Sequence, residues 1–563
     1  MKICLIQPPI EDFYTTPARN LPLGLLSLAA MLKDHQLQIL DLRHGRQTKI
    51  PPPAELQEVF PFYRPDDTSP FGLYKNFYRF GHANDEIRAT LPRDCELFLI
   101  AALCTTYANT VYELIDLIKR CVPHARIVIG GAHATILPDE VLNAGADFVI
   151  RGEGEFATKA LVTELEKAVP NFRIVPNLVW RENGTIRSNR VEFIDDLDAL
   201  PFPNYSLTGL PAYELNAQRH AMLIASRGCP YHCTFCGVWQ TMGARNRRRS
   251  VENILIEMTQ LYQMGIRSFD FEDDHFGGER DWLIELLDGI VARFGAGQLT
   301  ISAMNGITAS NLDETILRKM RLAGFQSLNL SLVTPSIERQ RELRRPFGTD
   351  MMIELINHAH RLGFDITTYL IIGLPGDTAE DILHAILFLC GLPVLIGPSL
   401  FYLVPGTELF DEIAAKGQTP ASRLRYRATF FPVESAECDR TAAMTLFRLC
   451  RLINFLKELI DRGFDSDSGE IYNDHLIIPG QCRGRAARRA IGIALLRHFF
   501  RTSQLCGTRR NANGEYLLVP EKVNQKLLDE FLTSDWIVSG IHSDVRLKKA
   551  EIIRRLITTN YTN

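Results

Sequence analysis

The stretch Cys229-Pro-Tyr-His-Cys233-Thr-Phe-Cys236 places three cysteines in one short loop with C-x3-C-x2-C spacing. It follows Met222-Leu-Ile-Ala-Ser226, which is predicted to be a short buried strand, and Arg227-Gly228 turns the chain into the cysteines. A structural zinc site or an ordinary ferredoxin cluster takes four protein ligands. Three thiolates in one loop therefore indicate an iron–sulfur cluster in which one iron is left open for another ligand.

Two plainer interpretations compete with the cluster. The cysteines could be ordinary core residues, or they could be half of a zinc site. A zinc site would need a second pair of ligands, and no further C-x2-C or H-x3-5-H pair occurs elsewhere in the chain. We therefore favour the cluster.

Composition sets outer limits on the class of protein. The 563 residues leave room for about three or four domains. Apolar residues make up 46% and charged residues 23%, which excludes wholesale disorder, and a net charge of −4 argues against a chain built to bind a polyanion. The twelve cysteines are too scattered for a disulfide framework, the N-terminus lacks a signal-peptide layout, and no apolar run reaches the ~20 residues of a membrane helix. We expect a cytoplasmic protein.

Residues 1–172 alternate short apolar strands with helical segments. This alternation predicts an α/β fold, with a Rossmann- or flavodoxin-like parallel sheet covered by helices on both faces. Ligands bind beyond the carboxyl ends of such strands. Here those ends carry glycines and prolines, which are equally at home in plain turns. The predicted strands are Lys2–Gln7, Leu37–Leu42, Leu97–Leu103, Arg126–Gly130 and Phe148–Arg151.

An insertion at about 44–95 interrupts this first domain and is dense in phenylalanine and tyrosine. These rings could wall a pocket, but we favour the packing of a satellite core beneath a long excursion. Residues 173–214 are predicted to be a linker, because they carry turn signals such as Asn183-Gly184 and Leu200-Pro-Phe-Pro-Asn204.

Residues 215–440 contain a second alternating region, for which a partial (β/α)6 barrel is expected. Reactive residues lie at the C-terminal mouth of such barrels, and the cysteine loop follows the first strand. Asp273-Asp274 ends the second strand and could hold an ammonium group or a ribose, or cap a turn. The predicted strands are Met222–Ser226, Ser268–Phe271, Thr300–Ala303, Ser327–Leu332, Ile366–Ile372 and Pro398–Leu403.

The ordered set of motifs resembles the radical S-adenosylmethionine (SAM) enzymes, specifically the subgroup with an N-terminal cobalamin-binding domain. The resemblance covers roughly residues 1–440. In the barrel region it rests on Arg227–Cys236, Arg249-Ser250, Phe271–Phe276, Gly373-Leu-Pro375-Gly376 and Pro405-Gly-Thr407. In the first domain it rests on Pro22-Leu-Gly24-Leu25, Gly130–Thr135, Gly152–Glu155 and Asp195–Pro201.

The resemblance implies cofactors and residue roles. Cys229, Cys233 and Cys236 would ligate a [4Fe-4S] cluster whose open iron binds SAM. An external electron donor of the flavodoxin or ferredoxin type would reduce the cluster, which would cleave SAM to a 5′-deoxyadenosyl radical. Asp273 would contact the methionine amino group, and Gly373 and Pro375 would line the adenine side of SAM. Cobalamin would lie across the strand ends of the first domain, near Gly130, Gly131, His133 and Gly152.

Two departures from the family pattern stand out. The D-x-H-x2-G loop, whose histidine ligates cobalt, is absent, because Asp41-Leu-Arg-His44-Gly45 has the wrong spacing. The subgroup often lacks this loop. The fourth barrel strand usually ends in a Gly-Ile-Glu-Ser-like stretch, and here Val333 takes the place of the acid.

Residues 441–563 lie outside the resemblance and are predicted to form a mainly helical domain of unknown role. The segment 483–510 is rich in arginine, but apolar residues interleave with the charges. This pattern is typical of an amphipathic helix with a solvated face, so we do not expect a nucleic-acid partner.

The leading function is cobalamin-dependent radical methylation, in which methylcobalamin gives its methyl group to an unactivated carbon of a small-molecule or natural-product substrate. A non-methylating cyclase or rearrangement enzyme would use the same cofactors. A tRNA methylthiotransferase ranks lower, because Cys4, Cys95, Cys104 and Cys121 do not follow its cysteine layout. A non-catalytic sensor stays open through the Val333 departure. The sequence assigns no catalytic residue.

Overall fold

The computed structural model describes residues 1–16, 21–208, 213–215, 218–345, 348–464, 470–472, 475–478 and 484–558. Up to residue 208 the chain forms β1 (Lys2–Gln7), β2 (Ile10–Asp12), α1 (Leu23–Met31), β3 (Gln36–Asp41), β4 (Gln47–Ile50), β5 (Phe77–Phe80), α2 (Asn84–Thr90), β6 (Leu97–Ala101), α3 (Ala108–Cys121), β7 (Arg126–Gly130), α4 (Ala132–Ile136), α5 (Pro138–Asn143), β8 (Phe148–Ile150), α6 (Glu155–Leu165), β9 (Leu178–Glu182) and β10 (Thr185–Ser188).

The first strand is a continuous apolar run, and a sheet extends on both sides of it. The strand order is β10-β9-β8-β7-β6-β1-β3, and the five strands from β8 to β3 are parallel. Buried side chains on both faces pack under helices, as parallel sheets require. This confirms the predicted N-terminal α/β fold, including all five strands.

The predicted linker contains two strands that belong to this sheet. β9 pairs antiparallel with β8, opposing Trp180 to Phe148, and β10 returns beside β9. The turn between them holds Asn183 and Gly184 at φ of 52° and 80°, which is typical of a tight hairpin turn. Residues 173–214 are therefore not a plain linker, because the buried run Leu178–Trp180 extends the sheet edge.

The insertion packs into the main core of the protein. β2, β5 and β4 form a small antiparallel sheet, and Tyr63, Phe71 and Phe77 are buried. The ring of Phe71 lies 5.4 Å from that of Phe455, on a helix of the C-terminal region. These contacts agree with the packing interpretation rather than with a pocket wall.

The middle of the chain forms β11 (Glu214–Leu215), β12 (Gln218–Leu223), β13 (Ser226–Arg227), α7 (Val238–Met242), β14 (Arg247–Arg248), α8 (Val251–Gln263), β15 (Ser268–Phe271), α9 (Arg280–Phe294), β16 (Thr300–Ser302), α10 (Glu314–Ala323), β17 (Ser327–Val333), α11 (Ile337–Glu342), α12 (Thr349–Arg361), β18 (Asp365–Ile372), α13 (Ala379–Cys390), β19 (Leu395–Leu400) and α14 (Glu408–Ala415). Parallel pairing runs β12-β15-β16 and β17-β18-β19. A parallel bridge from Ile301 to Phe325 joins the two halves, which gives the arc of the predicted six-stranded partial barrel.

The C-terminal region forms α15 (Arg440–Arg462), β20 (Glu470–Tyr472), β21 (His475–Ile477), α16 (Arg485–Thr502), β22 (Cys506–Arg510), β23 (Tyr516–Pro520), α17 (Gln525–Thr533), β24 (Ile537–Ser539), β25 (Arg546–Lys548) and α18 (Lys549–Thr558). Helices dominate, as predicted. The sequence analysis missed the antiparallel sheet β20-β21-β23-β22, whose strand β22 is fixed by contacts with the distant insertion, such as the bond from Thr508 N–H to Asp67. Arg483 of the basic segment lies outside the described residues.

None of the helices in the described ranges has the length and apolarity to cross a membrane. The apolar side of α15 instead packs against the barrel, and Arg448 on this helix is 1% exposed. Its guanidinium donates to the Phe62 carbonyl at 2.9 Å and to Glu521 at 2.7 Å. One helix therefore ties the insertion, the barrel and the C-terminal region together.

A buried lysine on α15 joins it to the barrel. The Lys457 ammonium donates to the carbonyls of Leu389, Cys390 and Leu392 at 3.1, 2.9 and 2.5 Å, at the C-terminal end of α13. Helix ends leave carbonyls without internal partners, and a cation also suits the negative end of the helix dipole. The lysine thus satisfies groups that would otherwise be buried without a donor.

We predict that Lys457→Met destabilises the protein by about 3 kcal/mol or more, since it leaves these buried carbonyls without a donor. The measurement is the urea midpoint followed by circular dichroism. The exposed Lys416→Met is the control and should leave the midpoint unchanged. Equal midpoints for the two variants would contradict the capping role.

Candidate functional site

The three cysteines lie on a loop with a closed neck. β13 and β14 pair antiparallel at its base, so that Ser226 and Arg227 face Arg248 and Arg247. Gly228 has φ of 82°, and a Cβ there would lie 2.4 Å from the Arg245 carbonyl. Only glycine fits this close crossing of the two chain segments. The loop therefore starts and ends at one place on the barrel mouth.

The thiols of the loop lie near one another. Cys233 is buried, and Cys229 and Cys236 are half-buried. Burial, followed by the nearby thiols of Cys236 and Cys233, raises the pKa of Cys229 to about 11. Among the described residues, no three His, Cys, Asp or Glu side chains converge as single-ion ligands do. Three thiols close together on one loop suit a cluster, whose ligands bind different iron atoms.

A cation lies beside this loop. The Arg345 guanidinium is 3.9 Å from the Cys233 sulfur and donates to the Ser331 carbonyl at 2.6 Å. A positive charge thus lies beside the Cys233 sulfur. Arg345 could not be placed near the loop from the sequence, because it lies more than a hundred residues downstream.

The paired acids at the end of β15 have different partners. Both oxygens of Asp273 are bonded, one to the Ala225 N–H at 2.8 Å and one to the Ser226 hydroxyl at 2.6 Å. Burial raises the pKa of Asp273 to about 7, against the effect of these bonds. Asp274 accepts from the Gly228 N–H at 3.1 Å. Asp273 therefore fixes the chain at the end of the first barrel strand, and Asp274 is the acid beside the cysteine loop.

The glycine turn after β18 is held tightly by the protein. Gly373 has φ of 82°, and a Cβ there would lie 1.9 Å from the Phe431 ring. The Pro375 carbonyl accepts from Arg339, which also pairs with Asp377 at 2.7 Å. The close approach that Gly373 permits is thus taken by Phe431. A contact of Gly373 and Pro375 with SAM stays a prediction.

Val333 lies in an apolar cluster at the end of β17, with Leu343, Leu374 and Phe401 among its neighbours. It is 3% exposed and has φ of 68°, which is unusual for a β-branched residue. An apolar side chain thus stands where the family pattern has an acid. Further inward, half-buried polar side chains alternate with buried side chains along β17, β18 and β19 and give the barrel a polar lumen. They are Asn329, Ser331, Thr367, Tyr369 and Ser399.

The predicted cobalamin residues lie at the carboxyl ends of β7 and β8. Gly131 has φ of 108°, and a Cβ there would lie 2.6 Å from the Ala102 carbonyl. The Gly152 N–H donates to the Thr135 hydroxyl at 2.8 Å. Nothing lies closer than 3.8 Å to the Cβ position of Gly130. These glycines bring two loops together at one edge of the sheet.

His133 lies beneath these loops and is 1% exposed. The Tyr112 hydroxyl donates to Glu140 at 2.8 Å. Its oxygen therefore accepts from Nε2 of His133 at 2.8 Å, and Nδ1 faces the Thr105 hydroxyl at 3.3 Å. Both ring nitrogens have partners within the domain, so His133 supports the loop rather than offering a free ligand.

Carboxylates of the first domain bind the neck of the cysteine loop. Glu153 and Glu155 follow β8, and their side chains are 1% and 7% exposed. Glu153 pairs with Arg227 at 2.9 Å and with Arg247 at 2.6 Å, and Glu155 pairs with Arg227 at 2.6 Å. Burial would raise the pKa of Glu155, but the ion pair with Arg227 outweighs it and holds the pKa below its ordinary value. The sequence analysis noted Gly152-Glu-Gly-Glu155 but assigned no role to its acids.

Two family models match the chain at these places. The radical SAM superfamily model matches residues 223–389, and the B12 binding domain model matches residues 81–162. The chain is a radical SAM enzyme with an N-terminal cobalamin-binding domain. The radical SAM model covers the cysteine loop, and the B12 binding domain model covers the glycine loops after β7 and β8.

Relatives of this radical SAM enzyme include two methyltransferases. The uncharacterized methyltransferase PH0819 of Pyrococcus horikoshii is 25% identical over 441 residues, which cover 77% of this chain and 87% of that protein. The cytidylyl-2-hydroxyethylphosphonate methyltransferase of Streptomyces wedmorensis is 26% identical over 474 residues, which cover 76% and 84%. Both alignments extend over most of each protein.

The same fold occurs in a solved structure. The radical SAM methyltransferase TsrM from Kitasatospora setae, with cobalamin and a [4Fe-4S] cluster bound, matches with a TM-score of 0.56 and 17% identity over 74% of this chain and 78% of that one. This likeness confirms the fold class of the radical SAM enzyme.

Side chains of the barrel and of the first domain approach each other at the barrel mouth. Leu103, Tyr14 and Tyr402 are 55%, 47% and 54% exposed. Burial by the surrounding protein raises the pKa of Tyr402 to about 12, and the nearby Cys236 and Cys104 add to the shift. Tyr402 therefore lies between the cysteine loop and the first domain. Tyr402 follows β19 at the barrel mouth, and Cys104 follows β6 of the first domain.

The burial of His133 makes the stability of the protein dependent on pH. Burial, with a contribution from Arg423, lowers the pKa of His133 to about 4. Between pH 6.5 and 4, His133 binds a proton in the unfolded chain but not in the folded protein. The free energy of unfolding therefore falls as the pH falls. We predict that this group removes about 2 kcal/mol of stability between pH 7 and 5.

The measurement compares thermal unfolding of the full chain and of His133→Gln at pH 7 and pH 5. The variant should lose less stability on acidification than the wild-type protein. Parallel losses in the two proteins would contradict this prediction, because they would mean that His133 takes up a proton as readily in the folded protein as in the unfolded chain.

Proposed function

We propose that this radical SAM enzyme methylates an unactivated carbon of a small-molecule or natural-product substrate. The observation that carries the proposal is that the cysteine loop and the strand ends of the first domain meet at Tyr402. Tyr402 is near Cys236 on one side and near Cys104 on the other. Both cofactors have to act on the same substrate carbon, and this proximity meets that need.

When bound, the cluster and SAM supply one-electron cleavage of the sulfonium carbon–sulfur bond, and cobalamin supplies methyl transfer. In the proposal Cys229, Cys233 and Cys236 hold the cluster, and the Arg345 guanidinium lies beside the Cys233 sulfur. Gly130, Gly131 and Gly152 bring backbone close to the corrin, with His133 as support. The chain's own task is to place these groups and to keep water from the radical.

The methionine end of SAM needs an acid close to the cluster. Asp273 is the family position, but both of its oxygens are bonded to Ala225 and Ser226, just after β12. We therefore assign this role to Asp274, which lies against Gly228 next to the first cysteine. Asp273 then contributes indirectly, because it fixes the chain that leads into the cysteine loop. The turn with Gly373 and Pro375 remains the proposed adenine side of SAM.

An external electron donor of the flavodoxin or ferredoxin type belongs to the proposal, because each reductive cleavage of SAM consumes one electron. Cytoplasmic localisation also belongs to it. None of the eleven described cysteines is in a disulfide, which agrees with a reducing compartment.

Ring formation without methylation is the second candidate function. Anaerobic magnesium-protoporphyrin IX monomethyl ester cyclases are also among the relatives of the chain. The methyltransferases align over a larger share of this chain, at 77% and 76% against 63% for one such cyclase. This difference in coverage favours methyl transfer.

We predict that Cys229→Ala, Cys233→Ala and Cys236→Ala each prevent assembly of the cluster and abolish formation of 5′-deoxyadenosine. The measurement is iron content, the visible absorption of the reconstituted protein and the product yield under anaerobic conditions. Cys121→Ala is the matched control, since this half-buried cysteine lies at the end of α3. Retention of a normal cluster by a loop variant would refute the ligand assignment.

The test of methyl transfer uses enzyme reconstituted anaerobically with hydroxocobalamin, SAM labelled in its methyl group and a reductant. We expect S-adenosylhomocysteine and 5′-deoxyadenosine, and label in the product when a true substrate is supplied. Formation of 5′-deoxyadenosine with an unlabelled product would favour the cyclase. Absence of both SAM-derived products would overturn the enzymatic proposal.

A further inference from the structure

Two arginines oppose each other at the neck of the cysteine loop. Arg227 and Arg247 are direct partners in the β13–β14 pair, and their side chains are 12% and 6% exposed. Like charges placed opposite each other on paired strands repel. Burial also removes the water that would screen them. The neck therefore closes only if other groups supply negative charge.

The first domain supplies that charge. Glu153 Oε1 lies 2.9 Å from Arg227 Nη1, and Glu153 Oε2 lies 2.6 Å from Arg247 Nη1. Glu155 Oε1 lies 2.6 Å from Arg227 Nη2. Two carboxylates thus face two guanidiniums across the domain boundary. Since Glu153 binds both sides of the neck, it acts as its bridge.

Glu153 is also continuous with the proposed cobalamin loops. Its neighbour Gly152 donates to the Thr135 hydroxyl at 2.8 Å. Thr135 follows Gly130-Gly131 on α4, and its own hydroxyl donates back to the Gly131 carbonyl at 2.9 Å. A change in either glycine loop is therefore passed through bonded neighbours to the carboxylate at the neck.

We propose that Glu153 is a positioning residue that couples cobalamin binding in the first domain to the geometry of the cluster loop, with Glu155 in support. Cobalamin fixes the glycine loops, these fix Glu153, and Glu153 fixes the neck. Coupling of this kind is reciprocal, so an assembled cluster must favour cobalamin to the same degree. The inference rests on the proposed cofactor positions and is independent of the methyl acceptor.

The test measures the two directions of the coupling in the full-length protein. The first quantity is the rate at which EDTA removes iron from the reconstituted cluster, with and without hydroxocobalamin. The second is the dissociation constant of hydroxocobalamin for protein with and without the cluster. In the wild-type protein the dissociation constant should change by about fivefold or more, and bound hydroxocobalamin should slow the loss of iron. In Glu153→Gln both changes should shrink toward none, with the cluster still assembled.

The matched control is Glu164→Gln. Glu164 is a buried carboxylate on α6 that binds Lys167 at 2.5 Å and the Asn171 N–H at 2.8 Å, all within its own domain. It should keep the wild-type coupling. If Glu153→Gln fails to fold, Glu155→Gln takes its place, and the loss of its single contact should reduce the coupling in part.

The outcomes separate this inference from the proposed function. Binding of neither cofactor to the wild-type protein would overturn the proposed function itself. Binding of both without any mutual effect would overturn the coupling alone. Simple shielding of the cluster by cobalamin would persist unchanged in Glu153→Gln, and that result would also overturn the role of Glu153. Equal losses of coupling in Glu153→Gln and Glu164→Gln would do the same.

Discussion

The buried charge balance at the base of the cysteine loop is the interaction on which the rest of the site depends. Arg227 and Arg247 stand opposite each other on strands of two residues, which is too little backbone pairing to overcome repulsion. Glu153 and Glu155 form ion pairs with these arginines, so that the net interaction at the neck becomes attractive. These ion pairs cross the domain boundary and have little water around them. Each domain therefore depends on the other for its shape at the boundary.

The arrangement of the domains follows from this junction. A partial barrel is an arc rather than a closed ring, so its open mouth needs a cover. The cobalamin-binding domain provides one, with its strand ends turned toward the cysteine loop. The insertion and α15 close the side, through contacts such as Phe71 against Phe455. Tyr402 lies at this junction, near Cys236 and Cys104.

Most of the secondary structure could be predicted from the chain, because it depends on local patterns. The strand Arg126–Gly130 was predicted with its observed bounds, since a buried parallel strand is a continuous apolar run. The hairpin at Asn183-Gly184 carried its turn signal but was taken for a linker. The sheet around β22 could not be found at all, because its partner strands and Asp67 come from distant parts of the sequence.

The residues of the candidate site likewise divide into those that local sequence predicts and those that it does not. The C-x3-C-x2-C spacing determined by itself that Cys229, Cys233 and Cys236 share one loop, because covalent distance keeps them together. Only the tertiary structure decided which acid faces that loop, since Asp273 and Asp274 differ by one residue but point to different partners. The same holds for Glu153 and its arginines, which are 74 residues or more apart in the chain and meet only when the two domains pack.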